Sequence, residues 1–192
     1  MTYSTKQRLI DVGLRMLLVQ GYSNLGIQAL LTASGATKGS FYHHFRDKED
    51  FALQTIDAYM AQVHAGLDAC LRDQERPPLA RVRRFFELMR QKYQEDGYMG
   101  CLLGGLGQEL SGVSEVFRCR IEACFSAIAE GMATCLDEAR QSGEIPTACD
   151  VRQMADILVD CWEGAALRSR LRRDPASLNA MLDFYIRSVV TD

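Results

Sequence analysis

The sequence has no uninterrupted apolar run approaching the roughly 18–20 residues that a membrane-spanning helix requires. Its first residues, Met1 to Lys6, lead into a charged amphipathic segment instead of the apolar stretch of a secretory signal. The seven cysteines are odd in number and include no CxxC pair, which argues against a zinc ribbon or a secreted disulfide framework. We therefore expect a cytoplasmic protein with reduced thiols and no membrane partner.

The motifs of common enzyme classes are also missing. No GxSxG, P-loop or HExxH pattern occurs. The three histidines are His43, His44 and His64. None of them is placed by the sequence to act as a base for Cys101, and a pair of helical carboxylates, Glu109 and Glu163, is weak support for catalysis. We expect no enzymatic activity, no cofactor and no metal.

Signals for β-strands are almost absent, and apolar residues recur at helical spacing along the chain. There is no internal repeat and no low-complexity segment. The pattern predicts an all-α protein of about nine helices. The predicted helices span residues 5–20, 27–34, 37–45, 47–72, 77–97, 100–112 (short and irregular), 114–142, 150–172 and 175–190.

Positive charge is scarce overall but concentrated at one end. The net charge of the chain is −3. Residues 1–48 contain six basic and two acidic side chains, a net charge of +4, which leaves −7 for the rest. This asymmetry is typical of a small nucleic-acid-binding segment attached to an acidic body, because only the contacting surface must release counterions.

The segment 27–45 has the spacing of a helix-turn-helix. A helix over Ile27–Ser34 is followed by the three-residue turn Gly35–Thr37 and a second, short helix. Thr37 is a suitable N-cap, and glycine suits the turn because it adopts positive φ without strain. An ordinary helical hairpin has the same spacing, so this pattern alone leaves both interpretations open.

The short helix carries an unusual set of polar side chains. Phe41 and Phe45 lie four residues apart and can anchor one face to a core. The other faces present Lys38, Ser40, Tyr42, His43 and His44. Hydroxyls, imidazoles and a cation together suit phosphate oxygens and base edges.

The segment Thr37–Glu49 resembles the recognition motif of the TetR family of bacterial transcriptional regulators. The shared pattern is a small cap, Lys, Gly, a small residue, an aromatic, Tyr, two polar residues and Phe, followed by Lys and Glu. Leu9–Tyr22, an amphipathic helix ended by Gly and an aromatic, is similar to the family too. The resemblance implies a repressor with a DNA-binding domain over 1–48 and an effector-binding and dimerisation domain over 49–192.

The resemblance also implies which residues touch double-stranded DNA. They are Gln28, Thr37, Lys38, Gly39, Ser40, Tyr42, His43, His44 and Lys48. Ser40, Tyr42 and His43 would face base edges and the sugar-phosphate backbone, Gly39 would allow close approach, and the others would hold phosphates. One departure is Gly26, where the family usually has Ser or Thr as the cap of the second helix.

Helices eight and nine carry apolar residues on more than one face, although terminal helices of a small chain should have a wet side. Either these helices are central in the fold or they are buried against a second subunit. The resemblance favours the second interpretation, a homodimer formed through these two helices. Such a dimer would present two recognition helices to a near-palindromic operator.

The best candidate for effector sensing is the segment Gly100–Leu110. Cys101 lies at the start of a predicted helix, where the dipole favours thiolate, and its neighbours are small. Together with Trp162–Arg168, the segment resembles a TetR branch that includes regulators of acrylate utilisation and of N-ethylmaleimide reductase. That branch responds to small unsaturated acids or electrophiles, and a cysteine at this position is implicated in sensing electrophiles.

Two interpretations of Cys101 remain open at this stage. In the first, it reacts with, or lies beside, a small electrophilic effector. In the second, it is an inert thiol in a hydrophobic pocket lined by Tyr93, Phe125 and Trp162, and the protein regulates efflux or other catabolic genes through a non-covalent ligand. Arg170 stands where the branch tends to have lysine, which puts any lysine-based mechanism in doubt because arginine stays protonated.

Overall fold

The computed structural model describes residues 4–190, which form nine α-helices and no β-strand. The helices are α1 Thr5–Gln20, α2 Ile27–Ser34, α3 Lys38–His44, α4 Lys48–Leu71, α5 Pro78–Glu95, α6 Leu102–Leu110, α7 Glu115–Gln141, α8 Val151–Arg172 and α9 Ala176–Val189. The predicted all-α class is confirmed. Apart from α6, the predicted helix bounds agree with the structure to within one or two residues.

Local capping sets several of these bounds. The Thr37 hydroxyl accepts a hydrogen bond from the Ser40 backbone N–H at 3.1 Å and begins α3. The Asp150 carboxylate does the same for the first N–H groups of α8. Gly35 adopts a left-handed conformation, with φ 63°, and ends α2. These signals involve residues close in sequence, so the sequence alone predicts them well.

The sixth helix is more regular than predicted. An irregular segment was expected over 100–112 because it contains several glycines, but α6 is a continuous helix of nine residues. Its leucines at 102, 103, 106 and 110 are all buried. Their burial outweighs the helix-weakening effect of glycine, which costs about 1 kcal/mol per residue relative to alanine.

The chain divides into two compact units. The first comprises the described residues up to Gln62 together with Leu102–Ile121, and the second comprises Val63–Cys101 together with the described residues from Glu122. The division falls within α4 and α7. Packing therefore groups α6 with α1, α2 and α3, whereas the functional boundary proposed from the sequence lies at residue 48.

An aromatic cluster holds α3 in the first unit. Phe41, Phe45 and Phe51 are at most 1% exposed, and their ring centroids lie 5.0 to 5.6 Å apart. Leu9 and Leu17 of α1 are buried in the same unit. Aromatic pairs at such distances stabilise a core beyond their buried area alone. The predicted anchoring role of Phe41 and Phe45 agrees with this geometry.

In the second unit, α8 packs against α9, and α9 also packs against α5. The Tyr185 hydroxyl of α9 donates to the backbone carbonyl of Met154 at 2.9 Å. Arg81 is only 3% exposed, and its guanidinium donates to the Leu71 carbonyl at 2.7 Å and pairs with Glu138 at 2.7 Å. The buried charge is thus both paired and hydrogen-bonded, as a buried arginine requires.

Within residues 4–190, no helix combines the length and apolarity needed to cross a membrane. The same part of the chain holds no group of three or more metal-ligating side chains arranged around a common point.

Candidate DNA-binding and effector sites

The polar face of α3 is exposed while its aromatic face is buried. Lys38 and His43 are exposed, and Tyr42 is 48% exposed. The Tyr42 ring packs edge-on against Phe41, with centroids 5.2 Å apart. The exposed ring is therefore held in place by a buried one, which limits the entropy it loses on contact with a partner.

The remaining polar groups of α3 line the same short helix. Thr37 is exposed, and although its hydroxyl oxygen caps the helix, the hydroxyl hydrogen remains a donor. Ser40 and His44 are half-buried, and the rings of His43 and His44 lie 4.8 Å apart at an angle of 66°. The structure thus gathers Thr37, Lys38, Ser40 and the two imidazoles on about two turns of helix.

Gly39 has no internal reason to be glycine. It lies in α3, and a Cβ placed on it would meet no atom within 4 Å beyond its immediate chain neighbours. Glycine weakens a helix relative to alanine, and nothing within the described part of the protein offsets that loss. The contacts of the described residues therefore do not explain why this position is glycine.

The second helix begins without a side-chain cap. Gly26 is the N-cap of α2, at φ −93° and ψ 133°, and no side chain bonds to the first N–H groups of α2 there. The departure noted in the sequence therefore has a structural counterpart. Gln28, two residues on, is exposed on α2, and its side chain lies at the surface.

Lys48 lies against the turn between α1 and α2. Its ammonium donates to the Ser23 carbonyl at 3.3 Å and sits 4.4 Å from the centre of the Tyr22 ring. Burial lowers the pKa of Lys48, and the charge of Glu109 opposes that shift. The ammonium has three donor hydrogens, so one hydrogen bond to Ser23 leaves donors for a phosphate.

Glu109 of α6 joins this group, and sequence reasoning did not assign it there. Its carboxylate accepts hydrogen bonds from the Tyr22 and Ser23 N–H groups at 2.8 and 2.6 Å. Burial is the largest influence on its pKa and raises it. The hydrogen bonds from Ser23 and Tyr22, with the Lys48 charge, nevertheless hold the pKa below its usual value. No signal near Glu109 in the sequence indicates a partner 86 residues away.

Cys101 lies directly before α6 and is half-buried, whereas the sequence predicted it inside a helix that begins at residue 100. Its partner is Glu163 of α8, to which it is hydrogen-bonded. Burial raises the pKa of Glu163 to about 7, and the bond with Cys101 partly opposes the shift. A half-buried thiol thus faces a carboxyl group that changes its charge near neutral pH.

Aromatic residues cluster on α5 and α8, where Trp162 directly precedes Glu163 in the chain. The Trp162 ring lies 4.7 Å from Phe86 and 6.1 Å from Tyr93, centroid to centroid. Tyr93 and Trp162 are both at most 5% exposed, whereas Phe125 is half-buried on α7. The structure therefore brings two of the predicted effector residues together and adds Phe86, which the sequence did not single out.

The loop that leads to Cys101 has an unusual backbone. Gly97, Tyr98 and Gly100 all have positive φ, at 70°, 61° and 79°. For tyrosine this conformation is strained, and such strain is commonly found at functional sites. A Cβ placed on Gly100 would lie 3.7 Å from the Arg170 side chain, so the arginine of α8 borders this loop.

The other cysteines differ from Cys101. Cys124 and Cys135 are buried small core residues, and burial raises the pKa of Cys135 to about 11. Cys70 is also buried, at 5% exposed. Cys119 and Cys161 are exposed, and Cys149 is half-buried.

Large apolar side chains are exposed on α8 and α9. Phe184 of α9 is 70% exposed. Ile157, Leu167 and Leu171 of α8 are 42 to 66% exposed and fall on one side of the helix at 100° per residue. These helices therefore bury one apolar face within the unit and leave a second apolar face uncovered.

Comparison with known proteins matches a segment at each end of the chain to a protein family. Residues 9–55 match the family described as bacterial regulatory proteins, tetR family, and residues 78–185 match the family described as tetracyclin repressor-like, C-terminal domain. The transcriptional regulator AcuR of Cereibacter sphaeroides is 36% identical over 96% of this chain and 85% of its own. The HTH-type transcriptional repressor DhaR of a Mycobacterium species is 30% identical over 92% of this chain and 88% of its own.

Solved structures of TetR-type regulators have the same fold as this chain. A regulatory protein TetR from Rhodobacter sphaeroides superposes with a TM-score of 0.92 at 35% identity, over 96% of this chain and 98% of that one. The reduced form of Escherichia coli NemR superposes with a TM-score of 0.89 at 25% identity, over 98% of both chains. The helix-turn-helix of α2 and α3 is thus a DNA-binding element, and the chain belongs to the TetR family of bacterial transcriptional regulators.

Proposed function

We propose that this regulator represses transcription as a homodimer on a near-palindromic operator and is released by a small electrophile or short unsaturated acid that acts at Cys101. The observation that carries the effector proposal is the bond between Cys101 and the carboxyl group of Glu163. Two of the seven thiols are bonded to a carboxyl group, Cys101 to Glu163 and the exposed Cys119 to Glu115. Of these two, Cys101 is the half-buried one, and it follows a loop of strained backbone.

The DNA-binding part of the proposal rests on the exposed face of α3. Lys38 and His43 are exposed on a helix whose opposite face is fixed by Phe41 and Phe45. In a helix-turn-helix, the second helix enters the major groove, where donors and acceptors on base edges differ between base pairs. Tyr42, His43 and Ser40 would contact bases and sugars there, while Thr37, Lys38, His44, Lys48 and Gln28 would hold phosphates.

The homodimer is supported by the uncovered apolar face of α8 and α9. Leaving Phe184 and Leu171 in water is unfavourable by about 25 cal/mol for each Å² of apolar surface. A second copy of the same face would cover them by two-fold symmetry. Dimeric helix-turn-helix proteins bind two half-sites about 34 Å apart, so a two-fold homodimer is expected to bind a near-palindromic operator.

The chemistry proposed for Cys101 is addition of its thiol to an activated carbon–carbon double bond. Sulfur forms a bond to the β carbon, the π electrons move to the α carbon, and that carbon gains a proton. The thiol proton is thereby conserved, so no oxidant or reductant is needed. Glu163 would accept that proton as sulfur attacks and return it to the α carbon, since a pKa near 7 suits both steps.

A non-covalent ligand is the alternative. The buried Tyr93 and Trp162 rings favour an apolar effector that packs against them while Cys101 stays chemically inert. In that case the protein would regulate efflux or other catabolic genes, and replacing the thiol would leave the response intact.

The deciding experiment measures operator release together with covalent modification. Duplex DNA from the region upstream of the gene is titrated with protein before and after treatment with N-ethylmaleimide, acrolein or acrylate. We expect release by the electrophiles to follow the extent of the Cys101 adduct, measured by intact mass and peptide mapping, and not the adducts at the exposed Cys119 and Cys161. Acrylate, as a carboxylate, tests the unsaturated-acid form of the proposal.

Two cysteine variants separate the alternatives. Cys101→Ser should bind the operator normally and fail to release it after electrophile treatment. Cys119→Ser, which removes an exposed thiol hydrogen-bonded to Glu115 on α7, is the matched control and should behave as the wild type. Release that persists in Cys101→Ser would reject the thiol mechanism and leave the non-covalent one.

A further inference from the structure

In the turn between α1 and α2, two backbone N–H groups donate to the carboxylate of Glu109. Helix α1 ends at Gln20 and α2 begins at Ile27, so the N–H groups of Tyr22 and Ser23 lie outside both helices. Each oxygen of the Glu109 carboxylate accepts one of them, Oε2 from Tyr22 at 2.8 Å and Oε1 from Ser23 at 2.6 Å. Hydrogen bonds to a charged acceptor are roughly twice as strong as neutral ones.

Gly21 makes this approach possible for two separate reasons. Its φ of 76° is in the left-handed region, which residues with a Cβ adopt only at a cost. A Cβ placed on it would also lie 2.6 Å from Glu109 Oε2. A side chain at Gly21, the residue that ends α1, would therefore collide with the Glu109 carboxylate of α6.

Lys48 is held by the same turn. Its ammonium donates to the Ser23 carbonyl and lies over the Tyr22 ring, while the Tyr22 ring packs at 5.0 Å against Phe117 of α7. Residues 22 and 23 thus bind Glu109 through their N–H groups and Lys48 through a carbonyl and a ring. A shift of the turn would move the ammonium as well.

We propose that Glu109 is a positioning residue for DNA binding, which fixes the α1–α2 turn and through it places the Lys48 ammonium against an operator phosphate. The inference rests on the phosphate contact of Lys48 under the proposed function. It adds that α6, which begins at the residue after Cys101, determines by its own position how well Lys48 is placed.

The opposing possibility is that Glu109 only stabilises the fold. A purely structural carboxylate would change thermal stability but not the salt dependence of binding, which counts the phosphates that the protein neutralises. The salt dependence of operator affinity therefore separates a positioning role from a structural one.

The test uses the full-length protein and a duplex from the region upstream of its gene. Operator affinity is measured by fluorescence anisotropy from 50 to 300 mM KCl, and backbone exchange is followed by hydrogen–deuterium exchange. The variants are Glu109→Ala, Glu109→Gln and Lys48→Ala, together with the double variant Glu109→Ala/Lys48→Ala. Gln108→Ala, an exposed residue of the same helix, is the control.

We expect Glu109→Ala to speed amide exchange at Tyr22 and Ser23 and to weaken operator binding by about tenfold. It should also lower the slope of log K against log [salt] by up to about one unit, as one phosphate contact is lost. Glu109→Gln keeps one acceptor oxygen and should lie between the wild type and Glu109→Ala. The double variant should have the salt slope of Lys48→Ala alone.

Each failure has its own signature. Faster exchange at residues 22 and 23 with an unchanged operator affinity and salt slope in both Glu109 variants would overturn the positioning role. Unchanged exchange would show that the carboxylate does not hold the turn, which also overturns it. An unchanged slope in Lys48→Ala would reject the phosphate contact itself, and with it the role assigned to Glu109. If Glu109→Ala does not fold, Glu109→Gln decides by the same criteria.

Discussion

Cys101 and Glu163 are hydrogen-bonded to each other, although they lie 62 positions apart in the chain. Burial raises the pKa of the carboxyl group to about 7, so this pair can hold or lose its proton within the physiological range.

The first prediction concerns stability against pH. The folded-state pKa of Glu163 is above its unfolded value of about 4.5, so ionisation is disfavoured in the folded protein. The stability that the protonated Glu163 carboxyl group contributes is fully present below pH 4.5 and is lost as the pH rises through about 7. Glu163→Gln should therefore increase the free energy of unfolding at pH 8, by at most about 3 kcal/mol, and have little effect at pH 4.5.

Urea unfolding at both pH values measures this difference. Glu122→Gln, which changes an exposed carboxyl group of α7, is the control and should show no such pH dependence. A Glu163→Gln variant with equal gains at pH 4.5 and pH 8 would contradict the assignment of a raised pKa.

The second prediction separates folding from DNA binding at Gly39. Because a Cβ there meets open space, Gly39→Ala should stabilise the protein by about 0.5–1 kcal/mol. The same methyl group would collide with the DNA backbone, so operator binding should weaken by roughly tenfold, or about 1.4 kcal/mol. Thermal unfolding and anisotropy measure the two effects on one sample.

Gly112→Ala is the matched control, since a Cβ there also meets open space and the residue lies outside α3. It should leave operator affinity unchanged. Normal operator affinity in Gly39→Ala would show that DNA does not approach α3 closely at this residue.

The third prediction concerns Lys48 and sequence specificity. Lys48→Ala should weaken operator and unrelated DNA by the same factor, because a phosphate contact carries no sequence information. It should lower the salt slope by about one unit. Titrations of the operator and of a scrambled duplex of equal length provide both quantities, and a loss confined to the operator would indicate a base-specific role instead.

The fourth prediction concerns the apolar face of α9. Phe184→Glu places a charge where a second subunit would bury an aromatic ring, and it should convert the protein to monomers with loss of operator binding. Asn179→Glu is the control, because residue 179 is exposed about 140° around the helix from Phe184. Light scattering after size exclusion distinguishes monomers from dimers. A Phe184→Glu variant that remains dimeric would show that this face of α9 is not the interface.

Much of the fold could be predicted because its signals are local. The Thr37 cap, the Gly35 turn and the Pro78 start of α5 each act within a few residues, and the sequence contains them directly. The irregular helix expected over 100–112 was partly wrong, because burial of its leucines in the folded protein outweighs the local effect of the glycines.

The two carboxylate sites could not be predicted in the same way. Glu109 and Glu163 are ordinary helical glutamates in the sequence, and their roles depend on partners brought close only by folding. The sequence predicted Cys101 close to a helix start, within two residues of where α6 begins, but it contains no sign of the group that bonds to this thiol. A polar pair between distant segments leaves no periodic pattern in the sequence, because it needs only one residue from each segment.

The cluster of Phe41, Phe45 and Phe51 has a consequence for how this repressor can change. A helix of seven residues is too short to be stable by itself, so α3 depends on these buried rings for its conformation. The side chains that fold α3 are thus different from those that face outward. Under the base contacts proposed for Ser40, Tyr42 and His43, substitutions at these positions would therefore change operator preference while the helix that carries them stays intact.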